Sequence, residues 1–263
     1  MGRALIAALR RQGVAAENIF VAEPQQDLRT ALAQQLEVRG VADAASFIEQ
    51  IDVLVLAVKP QDMAEIIKPL RSAIATRKPL VISIAAGLST TQLARLCGAG
   101  VPIVRAMPNR PALLAAGATG LFAGSEVTTS DRLVAENLLA AAGMVIWVAD
   151  ESLMDVVTAL SGSGPAYFFR LAEALAAAAI AQGLEPEAAR RLAAATLHGA
   201  GQMAAAPADL AQLRESVASK GGTTAAALAT FDTLQFETMV AAAMQAAAQR
   251  GRELAAQLDA QGD

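Results

Sequence analysis

The sequence predicts an α/β fold, a doubly wound parallel sheet followed by an all-α domain. Through about residue 149, short β-branched apolar runs alternate with helical patterns, which is the order of a parallel sheet with crossover helices. The run 53–58 is apolar throughout, as expected for a strand buried on both faces. After Asp150 only helical patterns remain. We therefore expect one domain over residues 1–149 and a second over residues 150–263.

The individual elements follow from these patterns and from the glycine, proline and polar residues between them. We predict strands over residues 19–22, 53–58, 80–84, 101–105, 117–122 and 145–148. The helices of the first domain are predicted over residues 27–36, 61–70, 90–96 and 131–142. In the second domain, breaks such as Pro207 and the pair Gly221 and Gly222 separate helices at 151–160, 165–182, 186–204, 209–217, 224–232 and 236–258.

Composition and charge exclude several classes of protein. A net charge of -4 without a basic tract argues against nucleic acid as a partner. The single cysteine, Cys97, and the single histidine, His198, exclude a disulfide framework and predict no metal site. No apolar stretch reaches the roughly 20 residues that cross a bilayer, so no membrane association is expected. A lone cysteine is typical of a reducing compartment, and we expect a cytoplasmic protein.

The chain begins with a predicted helix, although a nucleotide-binding sheet opens with a strand and a glycine-rich turn. Gly2 fits the third glycine of a G-x-G-x-x-G turn. Glu23 follows about 20 residues later, where a carboxylate contacts a ribose 2′-OH. The plain alternatives are a helix start and an exposed strand end. We expect that the first strand and two glycines are missing from the sequence, through a start assigned at an internal methionine or through a real truncation.

The segment Ser-Lys-Gly-Gly-Thr-Thr at residues 219–224 predicts an anion site. Gly221 and Gly222 allow a tight bend, and Thr223 and Thr224 offer hydroxyls that could cap the helix after them. The free N–H groups and the positive dipole end of a first helical turn bind a carboxylate or a phosphate. Taken alone, the segment is better explained as a capped turn between the domains, without a ligand.

Four motifs together resemble one enzyme family. They are VKPQ at 58–61, VRAMPN at 104–109, DVVTALSGSGPAYF at 155–168 and SKGGTT at 219–224. With these motifs the chain resembles pyrroline-5-carboxylate reductases over essentially its whole length. The resemblance implies a Rossmann-like dinucleotide-binding domain and a helical dimerisation and substrate domain. It also implies hydride transfer from NAD(P)H to the C=N carbon of 1-pyrroline-5-carboxylate, which gives L-proline.

The resemblance implies site residues at strand ends and in the 219–224 segment. The cofactor residues, together with Gly2 and Glu23, would be Val58, Lys59, Pro60, Ala85, Ala86, Gly87, Met107, Pro108 and Asn109. The second and third turns of this set would flank the nicotinamide ribose and the nicotinamide. The substrate residues would be Ser219, Gly221, Gly222, Thr223 and Thr224, with backbone N–H groups on the carboxylate. Thr224, near the ring nitrogen, is the catalytic candidate, and the proton would arrive through it or through a water.

Cofactor and partner expectations follow from the same resemblance. The cofactor is expected to be NADPH or NADH, and the small-molecule partner is 1-pyrroline-5-carboxylate. Because alanine-rich helices are thin and leave small faces, we expect a homodimer through the C-terminal helices, with larger assemblies of dimers also open. A carboxylate at Glu23 would repel a 2′-phosphate, so NADH is expected to be used at least as well as NADPH.

Several residues depart from the family pattern or have plainer interpretations. Arg110 stands where the family commonly has threonine, and Lys220 where it commonly has proline, so both add positive charge near the predicted site. In the segment 161–165 we expect the glycines to permit a close helix crossing and the proline to start a helix. Tyr167 and His198 are interpreted as packing residues, and the thiol of Cys97 as inert.

Two other functions stay open. The β-hydroxyacid dehydrogenases and ketopantoate-type reductases share the domain order. However, the hydroxyacid enzymes carry a catalytic lysine on the first interdomain helix, and no lysine lies between Lys78 and Lys220 here. A degenerate, non-catalytic dinucleotide-binding protein is the second alternative, suggested by the incomplete glycine turn.

Overall fold

The computed structural model describes residues 1–206 and 209–261, which form two compact units. The first unit comprises Met1–Ser163 and the residues from Ala247 onward, and the second comprises Gly164–Ala246. The division into domains at residues 149 and 150 stays a prediction. The compact units divide later because Glu151 and Asp155 both pair with Arg105 of the sheet.

The first unit alternates strands and helices, as the sequence patterns predict. Its regular elements are α1 Gly2–Arg11, β1 Val21–Ala22, α2 Gln26–Leu36, β2 Gly40–Val41, β3 Val53–Leu56, α3 Met63–Ile67, α4 Arg71–Arg77, β4 Leu80–Ser83, α5 Thr90–Cys97, β5 Ile103–Met107, β6 Gly117–Ala123, α6 Thr129–Ala140, β7 Gly143–Trp147 and α7 Leu153–Val157. Strand β2 escaped prediction because two residues are too few to show a period. The helix predicted over 61–70 is instead α3 between short 3-10 turns, since Pro69 removes a backbone donor.

The strands form two sheets. Strands β1 and β2 pair in parallel, and a five-stranded sheet has the order β3-β4-β5-β6-β7. The predicted doubly wound parallel sheet is confirmed as a sheet in which parallel pairs dominate. It departs from the prediction at one pair, because β6 runs antiparallel to β5. The chain turns back between them through the short 3-10 segment Arg110–Leu114. A parallel return would need a crossover of a dozen or more residues.

Helices cover both faces of the five-stranded sheet. Successive residues of a strand point to opposite faces. In β4, Leu80 and Ile82 therefore belong to one core, and Val81 between them belongs to the other, together with Leu54 and Leu56 of β3. The first core is completed from α3, α4 and α5 by Ile67, Ile74 and Leu93. The second is completed from α1 and α6 by Leu5, Ala8 and Leu139. The predicted layering of an α/β domain is therefore confirmed.

The second unit is helical, as predicted. Its helices are α8 Gly164–Ala181, α9 Pro186–Ala204, α10 Leu210–Ser216 and α11 Thr223–Thr233, followed by α12 Phe236–Gln261, whose last turns belong to the first unit. The break predicted at Pro207 lies outside the described residues. Among the described residues of this unit, the buried apolar side chains are those of Ala176 and Ala189. The helices thus bury little of their own apolar surface.

Candidate functional site

Three of the predicted cofactor segments lie at one edge of the five-stranded sheet. Strands β3, β4 and β5 are adjacent and parallel, so their carboxyl ends meet at the same edge. The segments 58–60, 85–87 and 107–109 follow directly from those ends. Nucleotides bind open α/β sheets at this edge. The fold therefore brings nine of the predicted residues together.

Gly2 begins helix α1 at the same edge. A Cβ on Gly2 would lie 3.1 Å from the Cβ of Ala57, the residue that follows β3. The third glycine of a nucleotide-binding turn has this role, because it lets the helix approach the strand closely. No side chain caps the first turn of α1. Its free N–H groups therefore suit the pyrophosphate of a dinucleotide.

The segment after β3 combines a packed residue with an exposed charge. Val58 packs against the core, whereas Lys59 is exposed and directly precedes the 3-10 turn Pro60–Asp62. Lys59 forms no ion pair among the residues that the structure describes. Its ammonium group is therefore available to an anionic ligand.

The segment after β4 is a tight turn that requires glycine. The N–H of Ala85 donates to Oγ of the buried Ser83 at 3.4 Å, and Ala86 is exposed. Gly87 has φ +81°, in the left-handed region that side chains disfavour. A Cβ there would also lie 3.4 Å from Leu258, in the last turns of α12. The turn is thus anchored to the end of β4 through the buried Ser83 and packs closely against α12, in the part of that helix that belongs to the same unit.

The segment after β5 is held by the carboxamide of Asn109. Its Nδ2 donates to the carbonyl of Ser161 at 2.9 Å, and its Oδ1 accepts from the N–H of Ala118 at 2.9 Å. Asn109 and Pro108 are buried, while Met107 is half-buried. The side chain of Asn109 is thus engaged within the protein. Of the three residues of this turn, Met107 is the one whose side chain is accessible to a ligand.

The glycine-rich segment 161–165 runs from the end of a π-helical turn into the start of α8. That turn spans Thr158–Gly162, between α7 and α8. A Cβ on Gly162 would lie 2.6 Å from Cε of Met107. The predicted close helix crossing is therefore wrong for Gly162, because its nearest neighbour is the end of the Met107 side chain in β5 and not a crossing helix. Pro165 lies at the start of α8, as predicted.

A buried charged cluster near the same strand was not predicted. Arg105, 7% exposed, pairs with Glu151 at 3.4 Å and with Asp155 at 3.5 Å. The carboxylate of Glu151 also accepts from the N–H and the hydroxyl of Thr90, at 2.7 and 2.8 Å. Glu151 therefore connects β5 to the first turn of α5. An arginine inside an apolar strand was the available sequence signal.

Glu23 follows β1, in the two-stranded sheet. Its N–H donates to the carbonyl of Val41 at 2.9 Å, and its Oε1 accepts from the N–H of Gln25 at 3.0 Å. Arg29 of helix α2 donates to the carbonyls of Glu23 and Pro24, both at 2.7 Å. The turn at this strand end therefore carries a carboxylate and a guanidinium.

In the second unit, residues 219–222 form a β-turn immediately before α11. The N–H of Gly222 donates to the carbonyl of Ser219 at 2.9 Å, and Gly221 at the third position has φ +75°. These features define a type II turn, which favours glycine at that position. A Cβ on Gly222 would collide with Oγ of Ser219 and would also lie 3.1 Å from the carbonyl oxygen of Ser219, which cannot rotate away. The two glycines are therefore required for different reasons.

The threonines do not cap α11, so that prediction is wrong. The N-cap residue is Gly222, no side chain fills the cap, and Thr223 and Thr224 are the first two helical residues. The first-turn N–H groups are therefore left to a ligand or to solvent. Thr224 is half-buried and Thr223 exposed. Lys220 and, in the first unit, Arg110 are both exposed.

The remaining candidates are interpreted structurally. Burial raises the pKa of Cys97 to about 11, so its thiol stays neutral and weakly reactive near pH 7. His198 lines a groove of about 490 Å³ between α8 and α9, with Phe169 on its wall.

Among the described residues there is no group of three or more His, Cys, Asp or Glu side chains that could hold a metal ion. Nor does any described helix have the length and apolar character of a membrane crossing.

Two protein families match the chain. Residues 151–254 match the family described as Pyrroline-5-carboxylate reductase dimerisation. Residues 1–87 match the family described as NADP oxidoreductase coenzyme F420-dependent.

Individual relatives match nearly the whole chain. A pyrroline-5-carboxylate reductase of Vibrio alginolyticus is 44% identical over 97% of this chain and 94% of the relative. A pyrroline-5-carboxylate reductase of Pseudomonas aeruginosa is 42% identical over 98% of this chain and 94% of the relative. A solved pyrroline-5-carboxylate reductase of Coxiella burnetii superposes with a TM-score of 0.93 at 37% identity, over 96% of this chain and 94% of that one. A solved Plasmodium falciparum pyrroline carboxylate reductase with NADP bound superposes with a TM-score of 0.81 at 26% identity, over 97% of this chain and 94% of that one.

Proposed function

The chain belongs to the pyrroline-5-carboxylate reductase family, and on that premise we propose that it reduces 1-pyrroline-5-carboxylate to L-proline with NADH or NADPH. The observation that carries the proposal is the 42–44% identity to such reductases over nearly the full chain. The same relationship favours this activity over a β-hydroxyacid dehydrogenase, a ketopantoate-type reductase and a non-catalytic nucleotide-binding protein.

The proposed cofactor site is the edge of the five-stranded sheet with the start of α1. When bound, the dinucleotide supplies the hydride for the imine carbon. The first turn of α1 at Gly2 would hold the pyrophosphate, and Glu23 the adenosine ribose. Lys59 would neutralise part of the phosphate charge. The turn 85–87 would flank the nicotinamide ribose, and Met107 the nicotinamide.

The proposed substrate site is the turn before α11. The substrate is a small cyclic imine with a single carboxylate. The first-turn N–H groups of α11, which no side chain caps, would donate to that carboxylate. The hydroxyl of Thr224 would orient the ring nitrogen. Because the reaction requires the imine carbon at hydride distance, positioning supplies most of the rate enhancement.

Protonation of the imine is the remaining chemical requirement. A protonated imine is the better hydride acceptor, so the enzyme either binds the iminium or delivers a proton to the nitrogen. We propose that the hydroxyl of Thr224 contacts the ring nitrogen: it accepts from the N–H of a bound iminium, or it donates to the neutral imine, in which case the proton comes from a water. Lys220, beside the turn, raises the local concentration of the anionic substrate.

We propose that the chain is a homodimer through its helical unit, with larger assemblies built from dimers. The family matched over 151–254 is a dimerisation family. Phe168 and Phe169 are each more than half exposed, and a second copy would cover such residues. We further propose a cytoplasmic enzyme, where the free thiol of Cys97 stays reduced, and we do not propose nucleic acid as a partner for an acidic chain.

Substrate-dependent oxidation of NADH and NADPH by the purified protein tests the proposed activity. The substrates are 1-pyrroline-5-carboxylate and a panel of 2-keto and 3-hydroxy acids, the latter assayed with NAD⁺ and NADP⁺. We expect turnover with the imine alone. Turnover only with the acids would overturn the proposal.

The same assay tests Thr224. We expect Thr224→Val to lower kcat by about 10- to 100-fold, the range of one lost transition-state hydrogen bond, with a smaller change in KM. Thr224→Ser, which keeps the hydroxyl, should retain most of the activity. An unchanged kcat in the valine variant would remove Thr224 from the mechanism.

A further inference from the structure

We propose that Arg29 binds the 2′-phosphate of NADPH and thereby determines how well the enzyme accepts NADPH relative to NADH. The inference rests on the proposed function for the location of the ribose site. In dinucleotide-binding sheets, an acidic residue at this strand end contacts the ribose 2′-OH, and a nearby arginine accommodates a 2′-phosphate. Glu23 has the first position, and Arg29 is the nearby arginine.

The side chain of Arg29 is held at both ends. Its Nη1 donates to the carbonyl oxygens of Glu23 and Pro24, each at 2.7 Å. Its half-buried stem lies beside β2, because a Cβ on Gly40 would be only 3.2 Å from Cγ of Arg29. A guanidinium that is already ordered loses little rotamer freedom when it binds an anion.

Arg29 also keeps charge and donors for a ligand. It forms no ion pair among the described residues. Within that part of the chain, its Nε and Nη2 have no acceptor. Arginine binds phosphate through parallel, charge-assisted hydrogen bonds. Arg29 does not neutralise the neighbouring Glu23, because the Oε1 atom of Glu23 accepts from the N–H of Gln25 instead.

The turn therefore offers a different group to each cofactor. The carboxylate of Glu23 can accept from the 2′-OH of NADH, and it repels a 2′-phosphate. The guanidinium of Arg29 offsets that repulsion. It follows that removal of Arg29 affects NADPH selectively, whereas removal of the charge of Glu23 favours NADPH.

Calorimetric titration with 2′,5′-ADP and with ADP tests this inference directly. We expect Arg29→Gln to weaken 2′,5′-ADP about tenfold or more, as for the loss of a charge-assisted hydrogen bond, and to leave ADP unchanged. Glu23→Gln should tighten 2′,5′-ADP. The matched control is Arg11→Gln, at the exposed C-terminal end of α1, which should change neither affinity. The ratio of kcat/KM for NADPH to that for NADH should move in the same direction as the affinities.

An equal loss for both nucleotides would overturn the inference, since it would mean that Arg29 only supports the turn. An unchanged 2′,5′-ADP affinity would overturn it as well. Arg29→Lys, which keeps the charge, provides a second variant and should bind 2′,5′-ADP more tightly than Arg29→Gln does; equal binding by the two contradicts the inference. Because the titrations contain no imine, failure of the reductase assay is distinguishable from failure of this inference.

Discussion

At the scale of single residues, the turn before α11 depends on two glycines with separate roles. Gly221 supplies the positive φ of a type II turn. Gly222 has an ordinary backbone conformation, φ -82° and ψ 175°, but a side chain there would collide with Ser219. The first-turn N–H groups of α11 are therefore presented by backbone shape alone.

This geometry predicts the effect of a single methyl group. Gly222→Ala should displace the turn and raise KM for 1-pyrroline-5-carboxylate about tenfold or more, the loss expected for one charged hydrogen bond. Because the cofactor residues are elsewhere in the chain, the KM for NADH should not change. Steady-state kinetics with each substrate varied in turn provides the measurement.

A glycine without a close neighbour provides the control. Gly199 lies inside α9, and a Cβ there meets nothing within 4 Å. Gly199→Ala should leave both KM values unchanged and should stabilise the helix by up to about 1 kcal/mol. An unchanged substrate KM in Gly222→Ala would contradict the proposed role of the turn.

The sequence identified the residues of this turn but not how they act. Gly221 and Gly222 were recognisable because a tight bend before a helix needs glycine. Propensity predicts that the threonines cap the helix, yet the N-cap residue is Gly222. Propensity could not decide this, because the cap position depends on whether the helix begins one residue earlier or later.

At the scale of elements, Arg105 and Glu151 join strand β5 to helices α5 and α7. Both strand-end turns proposed to contact the nicotinamide half of the cofactor are connected to these elements. The turn 107–109 continues from β5, and the turn 85–87 precedes α5. Asn109 adds a bond to the π-helical turn through Ser161. The cluster therefore fixes the relative positions of the two turns.

Glu151→Ala should destabilise the protein by roughly 2 to 3 kcal/mol. The reason is that Arg105 and the first turn of α5 both lose an acceptor. Among the described residues, Asp155 then remains as the ion-pair partner of the buried guanidinium. Denaturant unfolding gives the value. Glu126→Ala, at an exposed carboxylate, is the control and should change stability by less than about 0.5 kcal/mol. Equal stability of the two variants would show that the cluster is not structural.

Element prediction succeeded where a period was long enough to detect. Helices such as α9 and the buried strands β3 and β4 follow directly from their patterns. The antiparallel direction of β6 and the cluster around Arg105 did not, because both depend on which chain segments meet.

At the scale of the whole molecule, the helical unit exposes a large apolar surface to solvent. Phe169, on the groove between α8 and α9, is 58% exposed, and Ala176 is among the few buried apolar residues of that unit. Exposed apolar surface of this kind is typical of a subunit interface. The thin alanine-rich helices were the sequence signal for this surface.

Phe169→Glu should therefore shift the protein towards monomer, since burial of a charged carboxylate in place of an apolar ring carries a desolvation penalty. Analytical ultracentrifugation over a range of concentrations measures the shift. Leu114→Glu, at an exposed residue of the first unit, is the control and should leave the assembly unchanged. If Phe169→Glu sediments as the wild type does, the groove between α8 and α9 is not part of the interface.

The proposed function requires hydride transfer to the imine carbon of 1-pyrroline-5-carboxylate. The most direct measurement is the mass and NMR spectrum of the product formed with NADH that carries deuterium on both C4 positions. We expect L-proline with one deuterium, bound to the ring carbon that was double-bonded to nitrogen. Proline without deuterium at that carbon, or no proline from the purified protein, would contradict it.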